Sequence, residues 1–241
     1  MTDYFVPILD GPGDDDYARY MRTDTLLSLQ RGPHERIHRD ELLFQVVHQT
    51  SELWLKLASE EVSTARTLLC DGDWSAAAAL LRRACLGMRM VTEQLEMLAF
   101  LSPWDFQTIR TVLGHGSGFE SPGWRSVQAE TTAIAVSLDK VLDERGIDIA
   151  ERFRTDAGSD LCRMFDELME WDERIAIWRV RHYKIAVRII GHGVRGTQGT
   201  PIDSITRLIA HRYFPRLWDA RSELTLTGPL EQREGLAGAG G

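Results

Sequence analysis

The sequence predicts an all-α fold, built as one helical bundle. Two observations predict it. Apolar residues recur with a helical period over most of the 241 residues, and β-branched alternation is scarce. The first element is a loop lead-in, Gly11-Pro-Gly-Asp-Asp-Asp16. Helices are expected over 17–30, 39–70, 74–100, 103–112, 125–145, 158–190 and 203–213. Asp71-Gly72-Asp73 separates the second helix from the third, and Ser102-Pro103 starts the fourth with proline in its first turn. Leu230 to Gly241 is rich in Gly and Ala without periodicity and reads as a frayed tail. The organisation expected is therefore a lead-in over 1–16, a single domain over 17–225 and a tail over 226–241. The two long helices, 39–70 and 158–190, should form its centre.

Composition narrows the function. A 43% hydrophobic fraction supplies a substantial core. The net charge of −8 argues against bulk electrostatic binding of nucleic acid. No apolar run approaches the length of a bilayer span. The start, Met1-Thr-Asp-Tyr-Phe-Val-Pro7, lacks the basic and apolar regions of a signal peptide. Cys70, Cys85 and Cys162 are odd in number and widely spaced, so neither a disulfide framework nor a zinc knuckle is expected, and the cytoplasm is the natural compartment.

His182 is the most informative residue. Trp171, Ile175, Trp178, His182, Ile185 and Ile189 alternate in spacings of four and three, which places them on one helix face. Arg174, Arg179, Arg181, Lys184 and Arg188 occupy the others. An imidazole in an apolar stripe needs a partner: a carbonyl, a carboxylate or a metal. On this helix alone, a hydrogen-bonded core histidine is the commoner case. The 39–70 helix has two apolar faces. Leu43, Val46, Val47, Leu53, Trp54 and Leu57 make the main stripe; Phe44, His48, Ser51 and Leu55 make the second. His48 one turn after Phe44 suits a pocket wall, and equally a helix–helix seam. Arg110 follows Phe106 by one turn near a helix end, where an arginine beside an aromatic can hold a carboxylate in two-pronged fashion. A surface ion pair is the more frequent use of any one arginine. The Gly-rich continuation after Leu113 favours a loop that folds over something.

Other motifs fail on context. Gly191-His-Gly-Val-Arg-Gly196 matches GxGxxG, but it follows a helix and too little chain remains for a βαβ fold. Its glycines end the helix. The basic residues around Arg179–Arg188 form a solvated face or anionic-ligand contacts. HExxH, P-loop, GxSxG and paired ExxH motifs are absent.

Taken together the segments resemble the tryptophan 2,3-dioxygenase family, in order, from about Tyr17 to Leu217. The similarity rests on Tyr17-Ala-Arg-Tyr20-Met21, on Asp40-Glu-Leu-Leu-Phe44-Gln-Val-Val-His48-Gln-Thr-Ser-Glu-Leu-Trp54-Leu-Lys56, on Ile109-Arg110-Thr-Val-Leu113-Gly with Ser117-Gly-Phe119, and on Trp178-Arg-Val-Arg-His182, Arg188-Ile-Ile-Gly191 and Arg195-Gly-Thr197. The resemblance implies a helical bundle enclosing a heme pocket, with His182 as the proximal ligand of a b-type heme iron and the opposite position left for O2. His48 would hydrogen-bond the indole N–H of the substrate. Phe44 and Phe106 would line the indole pocket with Leu113, and Arg110 would clamp the carboxylate. Thr197 and Ser117 would close over the amino-acid end. It also implies a homotetramer, a dimer of dimers, in which Tyr17, Tyr20 and Met21 complete a neighbouring subunit's site. The implied reaction inserts O2 across C2–C3 of the indole of L-tryptophan, giving an N-formylkynurenine-type product.

The chain departs from that pattern in three places. It is several tens of residues shorter between Phe119 and Trp178. Phe106 stands where the family commonly has tyrosine. The loop Gly191–Thr197 carries one extra residue, and Gln198-Gly-Thr200-Pro follows it. All three lie around the pocket lid and the polar end of the substrate. A specialised relative that puts one oxygen atom into a substituted tryptophan therefore stands as the alternative, and a heme- or indole-binding protein without turnover as a third reading. His115 and His192 flank the candidate loops and read as exposed loop residues, with contact to a heme propionate or the substrate as the alternative for either; His34, His38 and His211 receive no special role.

Overall fold

The structure, a computed structural model, describes residues 6–193 and 206–229. It is all-α, and no described helix is long and apolar enough to cross a membrane. Helices run α1 (Asp16–Met21), α2 (Thr23–Leu27), α3 (Glu41–Asp71), α4 (Trp74–Glu93), α5 (Leu95–Leu98), α6 (Pro103–Leu113), α7 (Pro122–Arg145), α8 (Ile149–Thr155), α9 (Asp160–Ile190), α10 (Thr206–Ile209) and α11 (Pro215–Leu226).

Local chemistry sets these limits. Asp15, Asp73, Ser102, Ser121, Asp148 and Ser159 each cap the next helix by accepting a backbone N–H. Gly72 ends α3 at φ 88°, with its own N–H and that of Asp73 returning to the last turn. The helix expected over 17–30 is broken at Arg22, whose left-handed backbone (φ 54°) divides α1 from α2. The helix expected over 74–100 is broken at Gln94. Thr50 donates to the Gln94 side-chain oxygen at 2.6 Å and the Gln94 amide donates to Ser51 at 2.6 Å, so α3 pins the break. Of the helix expected over 203–213, residues 203–205 lie outside the described residues, and α10 ends before Pro215 begins α11. Helices α8 and α11 lie outside the expected helices, although Asp148 and Pro215 mark their starts; α8, with 7 residues, is too short to show a clear period.

The core joins α3, α4, α7 and α9. Leu55, Val62, Leu69, Leu81, Met88, Ile134, Leu138, Phe165, Leu168 and Trp171 are all fully buried. Helix α3 packs on α4 and α7, and α9 packs on α4. The α7–α9 contact is made by side chains: the Trp171 indole N–H donates to Thr131 at 3.0 Å, and Trp124 lies against Trp178. The two long helices are thus diagonal, with α4 and α7 between them. One expectation reverses here. The main stripe expected on α3 is largely exposed at Val46, Leu53, Trp54 and Leu57, and the core takes Leu55, Ala58, Val62, Ala65 and Leu69. Apolarity marks a face but not its direction, and the small residues that continue the buried face give a weak signal.

The start of α7 approaches α3 closely at Gly123. A Cβ there would lie 2.7 Å from the Glu52 carboxylate and 2.8 Å from Leu55 Cβ. Gly123→Ala should therefore cost about 1–3 kcal/mol by overpacking, read as a lower thermal midpoint. Gly158→Ala, in open space, is the control expected to leave the midpoint near wild type.

Candidate functional site

A second, smaller apolar cluster sits beside the main core. Val47, Leu95, Leu98, Leu101, Ile109, Ile185 and Ile189 form it, with Phe44, Phe106 and Trp178 packed around it. It joins α3, α5, α6 and α9. The α9 stripe is buried on both sides of His182, at Trp171, Ile175, Ile185 and Ile189, while His182 itself is half-buried. His48 of α3 is exposed to solvent yet surrounded by protein on most sides, as a group lining a concavity is.

His48 and His182 belong to one electrostatic site. Burial first, and then the nearby His48, push the His182 pKa down to about 4. Burial also lowers the His48 pKa, against a hydrogen bond to Phe44 and the Glu52 charge. Both rings are therefore neutral at neutral pH. His48 Nδ1 lies 2.7 Å from the Phe44 carbonyl oxygen. A carbonyl only accepts, so Nδ1 carries the proton and Nε2 is left as an acceptor. The Phe44 ring lies against His48 at 4.1 Å and against Phe106 at 5.8 Å. The His182 ring nitrogens make no hydrogen bond to a described residue. A neutral imidazole with no hydrogen-bond partner among the described residues is the donor an iron needs. The donor chemistry thus fits a heme iron.

The sign of the pH dependence follows. Since the folded pKa of His182 lies below the ordinary value of about 6.5, the unfolded chain takes up a proton first as pH falls. Apoprotein stability should be level above about pH 6.5 and fall by roughly 2 kcal/mol between there and pH 4. Urea melts at pH 7 and pH 5 check this; in His182→Leu the gap between them should shrink.

Arg110 lies in the last turn of α6, half-buried, with no carboxylate partner among the described residues. Leu113 closes the same helix, and Gly114 turns the chain away at φ 62°. The Ser117 N–H donates to Glu120 at 3.0 Å in the loop that follows. Thr197 lies outside the described residues. Tyr17, Tyr20 and Met21 are exposed on α1, which packs on α2.

Two supporting groups were not singled out from the sequence. Glu52, one turn after His48, accepts from Ser121 Oγ and from the Gly123 N–H at 2.8 Å, which fixes the start of α7. Its only signal is its place on the His48 face. His38 accepts the Asp40 N–H on Nδ1 at 3.2 Å, so its Nε2 proton faces Asp105 at 3.6 Å. His38, Asp40 and Asp105 have the spacing of a metal site. This tautomer instead makes them a latch between the segment before α3 and the first turn of α6. Elsewhere, an open cleft of about 630 Å³ between α4 and α9 is rimmed by arginines. Arg82 and Arg174 are neutralised there by Glu167 and Glu170, both at 2.6 Å. Burial pushes the Cys85 thiol on its wall well up, leaving it inert.

The profile of the tryptophan 2,3-dioxygenase family matches residues 10–133, just over half of the chain. The chain belongs to this family. Similar proteins named tryptophan 2,3-dioxygenase include that of Myxococcus xanthus (strain DK1622), 28% identical with 92% of this chain and 94% of the relative covered. That of Saccharopolyspora erythraea is 29% identical, with 86% and 92% covered. That of Bacillus anthracis is 27% identical over the same shares. The first alignment runs to 275 positions, more than the 241 residues of this chain can fill, so that relative carries segments with no counterpart here. The chain is an enzyme of the tryptophan dioxygenase type.

Proposed function

We propose that the enzyme is a heme-dependent oxygenase that acts on the indole ring of L-tryptophan or a close derivative, adding both atoms of O2 across C2–C3 to give an N-formylkynurenine-type product. The observation that carries this reading is the pair of neutral histidines on diagonal helices, His182 without a hydrogen-bond partner among the described residues and His48 with Nε2 left as an acceptor. His182 holds the iron of heme b. When bound, that group supplies the reduced iron centre at which O2 is activated.

The protein's own residues then do four things. His48 Nε2 accepts the indole N–H, orienting the ring without having to remove its proton. Phe44, Phe106 and Leu113 exclude water around the indole. Arg110 takes the carboxylate in a two-pronged ion pair. Ser117 and Thr197 close over the amino-acid end. Tyr17, Tyr20 and Met21 serve a neighbouring subunit's site in a homotetramer. The exposed stripe Val46, Leu53 and Leu57 on α3 supports assembly, because a monomer rarely leaves such a face in water.

Phe106 favours one alternative. Its ring beside Phe44 offers the substrate no hydroxyl, which suits a substituted indole. The deciding experiment is product mass from heme-loaded, reduced enzyme given L-tryptophan and labelled O2. Two labelled atoms in a ring-opened product are expected. One labelled atom would move the chemistry to monooxygenation, and unchanged tryptophan beside a normal heme spectrum would move the substrate to a substituted indole.

His48→Ala should retain heme with a normal spectrum and lose about tenfold to a hundredfold in kcat/KM, since it removes one hydrogen bond at the reacting ring. Loss of heme from that variant would give His48 a different role.

A further inference from the structure

Metal-bound histidines are ordinarily oriented by a carbonyl or carboxylate that takes the second ring N–H. No described residue offers His182 such a partner. What touches its ring is Trp178, one turn earlier on α9, stacked at 4.7 Å with the planes only 7° apart. Trp178 is clamped in turn. The Trp124 ring of α7 lies 3.8 Å from it, tilted by 38°. Trp124 is fixed at the first turn of α7, where its N–H donates to Ser121 Oγ at 3.1 Å and Glu52 of α3 holds Ser121 and Gly123. The Trp178 indole nitrogen is buried with no hydrogen-bond partner. A buried indole N–H without an acceptor opposes stability. An indole at this position is therefore better explained by its flat face than by its contribution to the core.

We propose that Trp178 is the positioning residue for the iron ligand: the Trp124–Trp178 stack sets the plane of the His182 imidazole where a hydrogen bond would ordinarily do so. This rests on the reading of His182 as the heme ligand. The path runs from Glu52 through the start of α7 to Trp124, Trp178 and His182, so three helices fix one ring. An imidazole oriented by stacking keeps its second N–H free of a carboxylate and donates less charge to iron than a hydrogen-bonded one.

The test uses full-length protein reconstituted with heme, comparing wild type with Trp178→Phe, Trp178→Leu and Trp124→Leu. The readouts are the iron–histidine stretching band of the ferrous form and the rate of heme transfer to excess apomyoglobin. Trp178→Leu should shift and broaden the band and speed heme loss by about twofold to tenfold, the range an aromatic pair supplies. Trp178→Phe keeps an aromatic face and should stay near wild type in both readouts. Trp124→Leu, which removes only the clamp, should fall between them. A wild-type band and transfer rate in Trp178→Leu would overturn the proposal. So would a folded Trp178→Phe that behaves as Trp178→Leu does. The underlying assignment fails separately: in that case wild type itself shows no iron–histidine band, or His182→Ala retains it.

Discussion

His182→Ala is expected to fold and to lose heme, and with it all measurable turnover. The side chain is half-buried at the edge of the smaller apolar cluster, so its removal leaves no large sealed cavity. Apoprotein stability at pH 7 should stay within about 1 kcal/mol of wild type, as for other substitutions away from the packed interior. The ligand, by contrast, has no substitute. Among the described residues the nearby histidine is His48, and the Phe44 carbonyl takes its Nδ1 proton and fixes its ring. Heme titration followed by absorbance gives the answer, with added imidazole as the second arm. If His182 ligates the iron, imidazole should restore a five-coordinate ferrous spectrum in the alanine variant. A variant that binds heme as wild type does, with no need of imidazole, would remove His182 from the site.

How far the sequence discloses this site depends on the kind of signal each residue carries. The α9 stripe is strongly periodic, and His182 interrupts a line of residues that are buried before and after it. Its position is legible because a long helix fixes the direction of every side chain on it. On α3 the period is equally clear, but there are two apolar faces, and sequence alone picks the wrong one for the core. The choice depends on what α4 and α7 present to α3, a tertiary fact. The roles of Glu52 and Gln94 are illegible for the same reason. Glu52 is one polar residue among many on a helix and Gln94 one inside an apparently continuous helical run, and their partners lie 69 residues away at Ser121 and 43 away at Ser51. The tautomer of His48 follows only from the backbone carbonyl one turn back, which every helical histidine has within reach but few use. Breaks at Arg22 and Gln94 escape a pattern reading because neither residue is glycine or proline.

Arg110→Met is expected to raise KM for L-tryptophan by about tenfold to a hundredfold, the range for losing a charge-assisted hydrogen bond. It lies in the last turn of α6, the helix that also carries Phe106, and it lacks a carboxylate partner among the described residues. A half-buried cation without an anion is a costly arrangement in the free enzyme, and a substrate carboxylate relieves it. The loss should therefore appear mainly in binding and only secondarily in kcat, because the carboxylate is remote from the reacting C2–C3 bond. Arg110→Lys should recover a small part, since an ammonium cannot make the two parallel bonds of a guanidinium. Tryptamine separates this account from a general disturbance of α6. It lacks the carboxylate, so its binding to heme-loaded enzyme should be nearly the same in wild type and Arg110→Met. Equal weakening of tryptophan and tryptamine would mean that Arg110 supports the helix and that the carboxylate is held elsewhere.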